Sequence, residues 1–87
     1  MAQEDRAHWN ARYRAGDHAS RGPCSVLMSL ASWLPDHGRA LDVAGGAGAN
    51  AVWLAQRGLL VTVADVSEVA LALAVERAAA QGVDLGI

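Results

Sequence analysis

Apolar residues are spaced along this chain in two rhythms, and the rhythm changes where the elements change. Residues 5–15 are polar and rich in Ala, Arg and His, with Trp9 and Tyr13 four apart; this predicts a short helix with both rings on one face. Gly16, Ser20, Gly22 and Pro23 mark a loop over 16–23. Val26, Leu27, Leu30 and Leu34 then fall on one helical stripe over 25–34, which Pro35 ends. After the turn Asp36-His37-Gly38, the short apolar run 39–44 reads as a strand buried on both faces. A helix follows over 49–57, with Gly58 in the place that commonly closes one. Leu60 to Ala64 is a second strand. Ser67 caps a third long helix, with Glu68 in its first turn, where a carboxylate suits the helix dipole. Leu71, Ala74, Val75 and Ala78 make its expected sheet-facing stripe, Gly82 ends it, and residues 83–87 begin a third strand. Trp33 and Trp53 read as core fillers.

The order α-α-β-α-β-α-(β) implies an α/β fold with a right-handed parallel sheet. The expected architecture is a Rossmann-like doubly wound parallel sheet, incomplete, with its first two to three strands and their flanking helices. Two parts are expected: an N-terminal helical segment over 1–37 on the lid or substrate side, and the first half of a ligand-binding domain over 38–87. Each βα unit takes about thirty residues or more, so 87 residues stop short of such a domain. The expectation is that a C-terminal half or a partner chain completes it.

Composition narrows the function. Hydrophobic residues make up 53% of the chain, which excludes disorder, although Ala supplies much of that share and Phe is absent. A net charge of −2, with seven scattered Arg and no Lys, leaves no basic patch for nucleic acid or an anionic membrane. No run is long enough to span a membrane and the polar N-terminus has no signal-peptide core, so a cytoplasmic location and a small-molecule substrate are expected. Cys24 is the single cysteine; no disulfide or metal spacing exists, and a small, partly buried residue is the plain reading of it. His8, His18 and His37 lack partners at metal or triad spacing and read as solvated.

The chemistry concentrates at Leu41-Asp42-Val43-Ala44-Gly45-Gly46-Ala47-Gly48-Ala49-Asn50, where a strand runs through glycines into a helix. In an open α/β sheet, ligands sit at the carboxyl ends of the strands. Gly46 and Gly48 can take backbone angles closed to other residues, and the N–H groups that follow favour a carboxylate or phosphate. Asp65 ends the adjacent strand nineteen residues after Gly46, and its two acceptor oxygens suit a ribose diol. The plain alternative is a carboxylate that merely starts a turn. For Asp42 it is a carboxylate bonded to nearby N–H groups, and for Asn50 a local bond at the helix start. Trp9 and Tyr13 read as packing or as a lid.

Gly46-x-Gly48-x-x-Ala51 with Asp65 also satisfies the dinucleotide fingerprint, so an NAD(P)-binding oxidoreductase half-domain is one alternative. A non-enzymatic nucleoside-binding or partner-dependent module is another. Two features favour S-adenosylmethionine. The Asp42 charge sits poorly beside a pyrophosphate but well near a sulfonium and an ammonium, and about 38 mostly helical residues precede the first strand.

Asp42-Val-Ala-Gly-Gly-Ala-Gly48 resembles the first motif of class I S-adenosylmethionine-dependent methyltransferases, and Val63-Ala-Asp65-Val66-Ser67-x-x-Ala70-Leu71 is similar to their second. Trp9-x-x-Arg12-Tyr13-x-x-Gly16, Pro23-Cys24-Ser25 and Gly48-Ala-Asn50-Ala-Val-Trp-Leu-Ala55 resemble the branch of tellurite-resistance and thiopurine-type methyltransferases. The likeness runs over about residues 8–83. It implies S-adenosyl-L-methionine as cofactor and methyl transfer as the reaction. Asp42, Gly46 and Gly48 would line the methionine end, Asp65 would hold the ribose hydroxyls and Val66 would pack on the adenine face, with Ala44, Gly45, Asn50 and Ser67 as further cofactor-binding positions. Trp9 and Tyr13 would contribute lid or cofactor contacts. No catalytic base is assigned. Ala44 stands where the family most often has its first glycine, and Ala49 where this branch often has arginine.

Overall fold

The computed structural model describes residues 2–16 and 22–87; His18 and most of the loop expected over 16–23 lie outside the described residues. In chain order it contains helix α1 (Ala2–Arg14), helix α2 (Ser25–Ser29), a 3-10 turn (Ala31–Trp33), strand β1 (Arg39–Val43), helix α3 (Ala49–Gln56), strand β2 (Leu60–Ala64) and helix α4 (Glu68–Ala80). β1 and β2 pair in parallel, from Arg39 opposite Leu60 to Val43 opposite Ala64. Beyond α4 the chain returns to the free side of β2. Gly86 N–H donates to the Val61 carbonyl at 2.9 Å, and Val63 N–H donates to the Gly86 carbonyl at 2.8 Å. This parallel bridge to Thr62 is the start of the expected third strand. The architecture is an incomplete α/β Rossmann-like fold, with helices flanking a short parallel sheet.

The register sets the two faces of the sheet. Ala40, Asp42, Val61 and Val63 share the inner face, where Val61 and Val63 join Ala51 and Leu59 in the core. Leu54, Ala55, Leu71 and Leu85 pack around that cluster. Arg39, Leu41, Val43, Leu60, Thr62 and Ala64 share the outer face, and all six are exposed. The first strand is therefore not covered on both sides as its apolar run predicts: Leu41 is 66% and Val43 70% exposed, because no described element lies over that face. It also ends one residue early, at Val43.

The expected helix over 25–34 divides. α2 stops at Ser29, and Leu30 N–H is shared between the Val26 and Leu27 carbonyls before the 3-10 turn begins. Leu34 is already extended (φ −83°, ψ 140°), as the residue before a proline prefers. No described element buries the stripe, and neither α2 nor the 3-10 turn has a buried residue. Trp33 is 84% exposed rather than a core filler. Trp53 is half-buried, with the Arg57 guanidinium 5.1 Å from its ring centre.

α4 has the expected extent, and its expected stripe holds in part: Ala74 and Ala78 are buried and Leu71 packs against the core, while Ala70 takes the buried place expected for Val75. Ala70, Ala74 and Ala78 lie on one row at i, i+4, with Ala74 against Gly48 at the start of α3, whereas Val75 remains exposed. Small side chains on that row let the helices approach closely. α4 packs against both α3 and α1.

Candidate functional site

The site forms where β1 gives way to α3. Ala44 leaves the strand with φ 55°, so this position, where the resembled family has glycine, is itself left-handed. Gly45 N–H donates to the Ala64 carbonyl at 3.2 Å and holds the turn against the end of β2. A Cβ at Gly45 would lie 2.7 Å from both Asp42 Oδ2 and Val63 Cγ1, so the carboxylate and the core valine close over the backbone there. Gly48 is the cap residue of α3 at φ 86°, and a Cβ on it would fall 2.9 Å from Ala74 Cβ. That contact sets how near α4 can lie to the turn.

Asp65 closes the arrangement. Its Oδ2 accepts from Gly46 N–H at 2.9 Å and its Oδ1 from Ser67 N–H at 2.8 Å. Each carboxylate oxygen keeps a second acceptor site. A cleft of about 510 Å³ opens above it, lined by Trp9, Tyr13, Val43, Ala44, Ala64, Asp65 and Val66. The walls are largely apolar and aromatic, and among the described lining residues Asp65 is the single carboxylate. The Tyr13 hydroxyl lies directly over Gly46, where that residue's Cβ would be. A smaller cavity of about 260 Å³ shares Tyr13 and Ala44 with the cleft and is lined also by Gly45, Gly46, Asn50 and Cys24.

Asp42 lines neither cavity. Its Oδ2 is sealed from solvent and has no hydrogen-bond partner among the described residues. Burial, and next the negative charge of Asp65, push its carboxyl above the ordinary value. Asn50 Oδ1 accepts from Cys24 N–H at 2.7 Å, tying the start of α3 to the start of α2. Cys24 is exposed rather than partly buried, and the backbone N–H groups of Leu27 and then Val26 lower its thiol pKa. Ser67 is fully buried: its Oγ accepts from Ala70 N–H at 3.1 Å and donates to Asn10 Oδ1 at 2.5 Å. Its side chain thus faces α1 rather than the cleft. His37 pairs with Asp36 at the surface, and His8 stands edge-on to Trp9. Among the described residues, no group of three or more His, Cys, Asp or Glu is placed to hold a metal ion. No described helix is long and apolar enough to cross a membrane.

The sequence pattern passed over Asn10. It is the one buried residue among the described side chains of α1. Its only signal is an amide, a weak helix former, placed mid-helix between the two aromatic residues.

The arrangement is similar to that of a methyltransferase from echinomycin biosynthesis, solved in work on the conversion of a disulfide bond into a thioacetal group. The identity is 30%, with a TM-score of 0.67 over 75% of this chain. The fold is thus methyltransferase-like. This chain spans 28% of the length of that protein. No family model and no curated protein matches it.

Proposed function

We propose that the chain carries the cofactor-binding part of a class I S-adenosylmethionine-dependent methyltransferase acting on a small molecule. The observation that carries this reading is the sealed, partnerless Oδ2 of Asp42 behind the glycine turn. A buried carboxylate without a partner is unfavourable unless positive charge approaches it. A sulfonium and an ammonium on the far side of the turn would lower that cost through space, whereas a pyrophosphate would raise it. The same asymmetry argues against a dinucleotide.

The residues of the cleft fit the rest of such a ligand. Asp65 has two acceptor sites left for vicinal hydroxyls, and Val66 offers an apolar surface beside them. Trp9 and Tyr13 would exclude water from the cleft and orient what enters it. The bound cofactor would supply a methyl group on a positively charged sulfur. The structural neighbour is of the methyltransferase class, which supports this choice of cofactor. The tellurite-resistance and thiopurine-type branch rests on the sequence resemblance alone, carried by Trp9, Arg12, Tyr13 and Gly16, by Pro23-Cys24-Ser25 and by the segment from Gly48 to Ala55.

Titration calorimetry with S-adenosylhomocysteine tests the reading. Asp65→Ala is expected to weaken binding by about 1–3 kcal/mol, the cost of leaving ligand hydroxyls unpaired. Tighter binding of NAD than of S-adenosylhomocysteine by the wild type would sink it.

A further inference from the structure

We infer that Asn10 is a positioning residue that latches α1 over the cleft and couples its aromatic wall to Asp65. The coupling rests on the reading of the cleft as a nucleoside-cofactor site; the latch does not.

α1 is mostly exposed, and its side chains offer no large apolar face. Its one buried side chain among those described is Asn10, which is 6% exposed. The Asn10 amide is used from both ends. Oδ1 accepts from Ser67 Oγ at 2.5 Å and from Val69 N–H at 3.4 Å, while Nδ2 donates to Glu68 Oε1 at 3.3 Å. All three partners belong to the start of α4, where backbone N–H groups lack helical acceptors. The nearby Arg6–Glu68 pair is long, at 3.7 Å, and exposed, so it adds little.

Ser67 is the hinge of the coupling. Its hydroxyl donates to Asn10, and its backbone N–H donates to Asp65 Oδ1. Asp65 in turn holds Gly46 N–H. One run of hydrogen bonds therefore links the glycine turn to α1 through Asp65, Ser67 and Asn10. On α1, Trp9 immediately precedes Asn10 and Tyr13 follows it by three residues; both line the cleft. Releasing Asn10 would free the wall of the cleft and the turn that carries Asp65 together. An asparagine serving stability alone would not shift ligand affinity once the fold is intact.

The experiment combines amide hydrogen exchange on the ligand-free protein with calorimetry using S-adenosylhomocysteine. Asn10→Ala should speed exchange along α1 by about tenfold or more and weaken binding by about tenfold, the factor carried by roughly one buried hydrogen bond. Val61 and Val63 amides should keep their rates, which shows that the core remains folded. The double variant Asn10→Asp with Glu68→Gln retains an acceptor for Ser67 and Val69 without opposing two carboxylates. It should recover both readouts, and Arg6→Ala should leave both unchanged. Unprotected α1 amides in the wild type, or α1 exchange unaltered by Asn10→Ala, would overturn the latch. A loosened α1 with unchanged affinity would overturn the coupling. If the wild type binds no S-adenosylhomocysteine, the functional reading and the coupling both fall, and exchange still decides the latch.

Discussion

The two faces of the β1–β2 sheet are built from similar residues and meet opposite fates. Val61 and Val63 point inward and are buried beneath α3, whereas Leu41, Val43 and Leu60 point outward and stay open. Side chains alternate strictly along a strand, so one register decides both faces at once. The difference comes from what lies opposite: a helical layer on one side and no described element on the other. An apolar run marks a strand that can be covered twice; it does not show that both covers are present.

That contrast can be tested from its strongest point downward. Gly48→Val would place a branched side chain at a left-handed position against Ala74, unseating the α3–α4 layer from the inner face. A loss of roughly 3 kcal/mol or more is expected, from backbone strain and overpacking together, read by urea denaturation. Val63→Ala, on the same face, should cost about 2 kcal/mol through lost burial and a residual cavity. A loss near zero would mean that the inner face is no better packed than the outer.

Asp42 is the charged member of the inner face, and its effect depends on pH. Its folded-state pKa is raised, so the folded chain holds this proton to higher pH than the unfolded chain does. Stability from this group is therefore present below the ordinary carboxylate value and lost as pH rises towards the raised one. Asp42→Asn should flatten the fall in Tm across that window, and identical slopes for the two proteins would remove Asp42 as its cause. Smallest of all, Leu41→Thr on the outer face should change stability by no more than about 0.5 kcal/mol in the same denaturation assay.

Legibility in the sequence followed how local each signal was. The turn from β1 into α3, the cap at Ser67 and the place of Asp65 could be read because glycine, serine and strand-end carboxylates act within a few residues. The stripe over 25–34 misled because Val26, Leu27, Leu30 and Leu34 state a helical period but not what would bury it. Trp33 failed for the same reason: size alone does not place a side chain inside. On α4, Val75 looked better suited to burial than Ala70, yet the close neighbouring helices accept only the alanine row. Asn10 was silent because its meaning lies 57 residues away, at Ser67. The Asp65 placement was readable, but its grip on Gly46 N–H needed the fold.

That grip determines how a molecule would be received. Gly46 and Ser67 are held by Asp65 before anything arrives, so the floor of the cleft is assembled in advance. A guest surrenders its own freedom of motion there while demanding little rearrangement of the seat. The α1 wall is tied to the same floor, since Asn10 Oδ1 accepts from Ser67 Oγ, so the aromatic side of the cleft stands in place with its base.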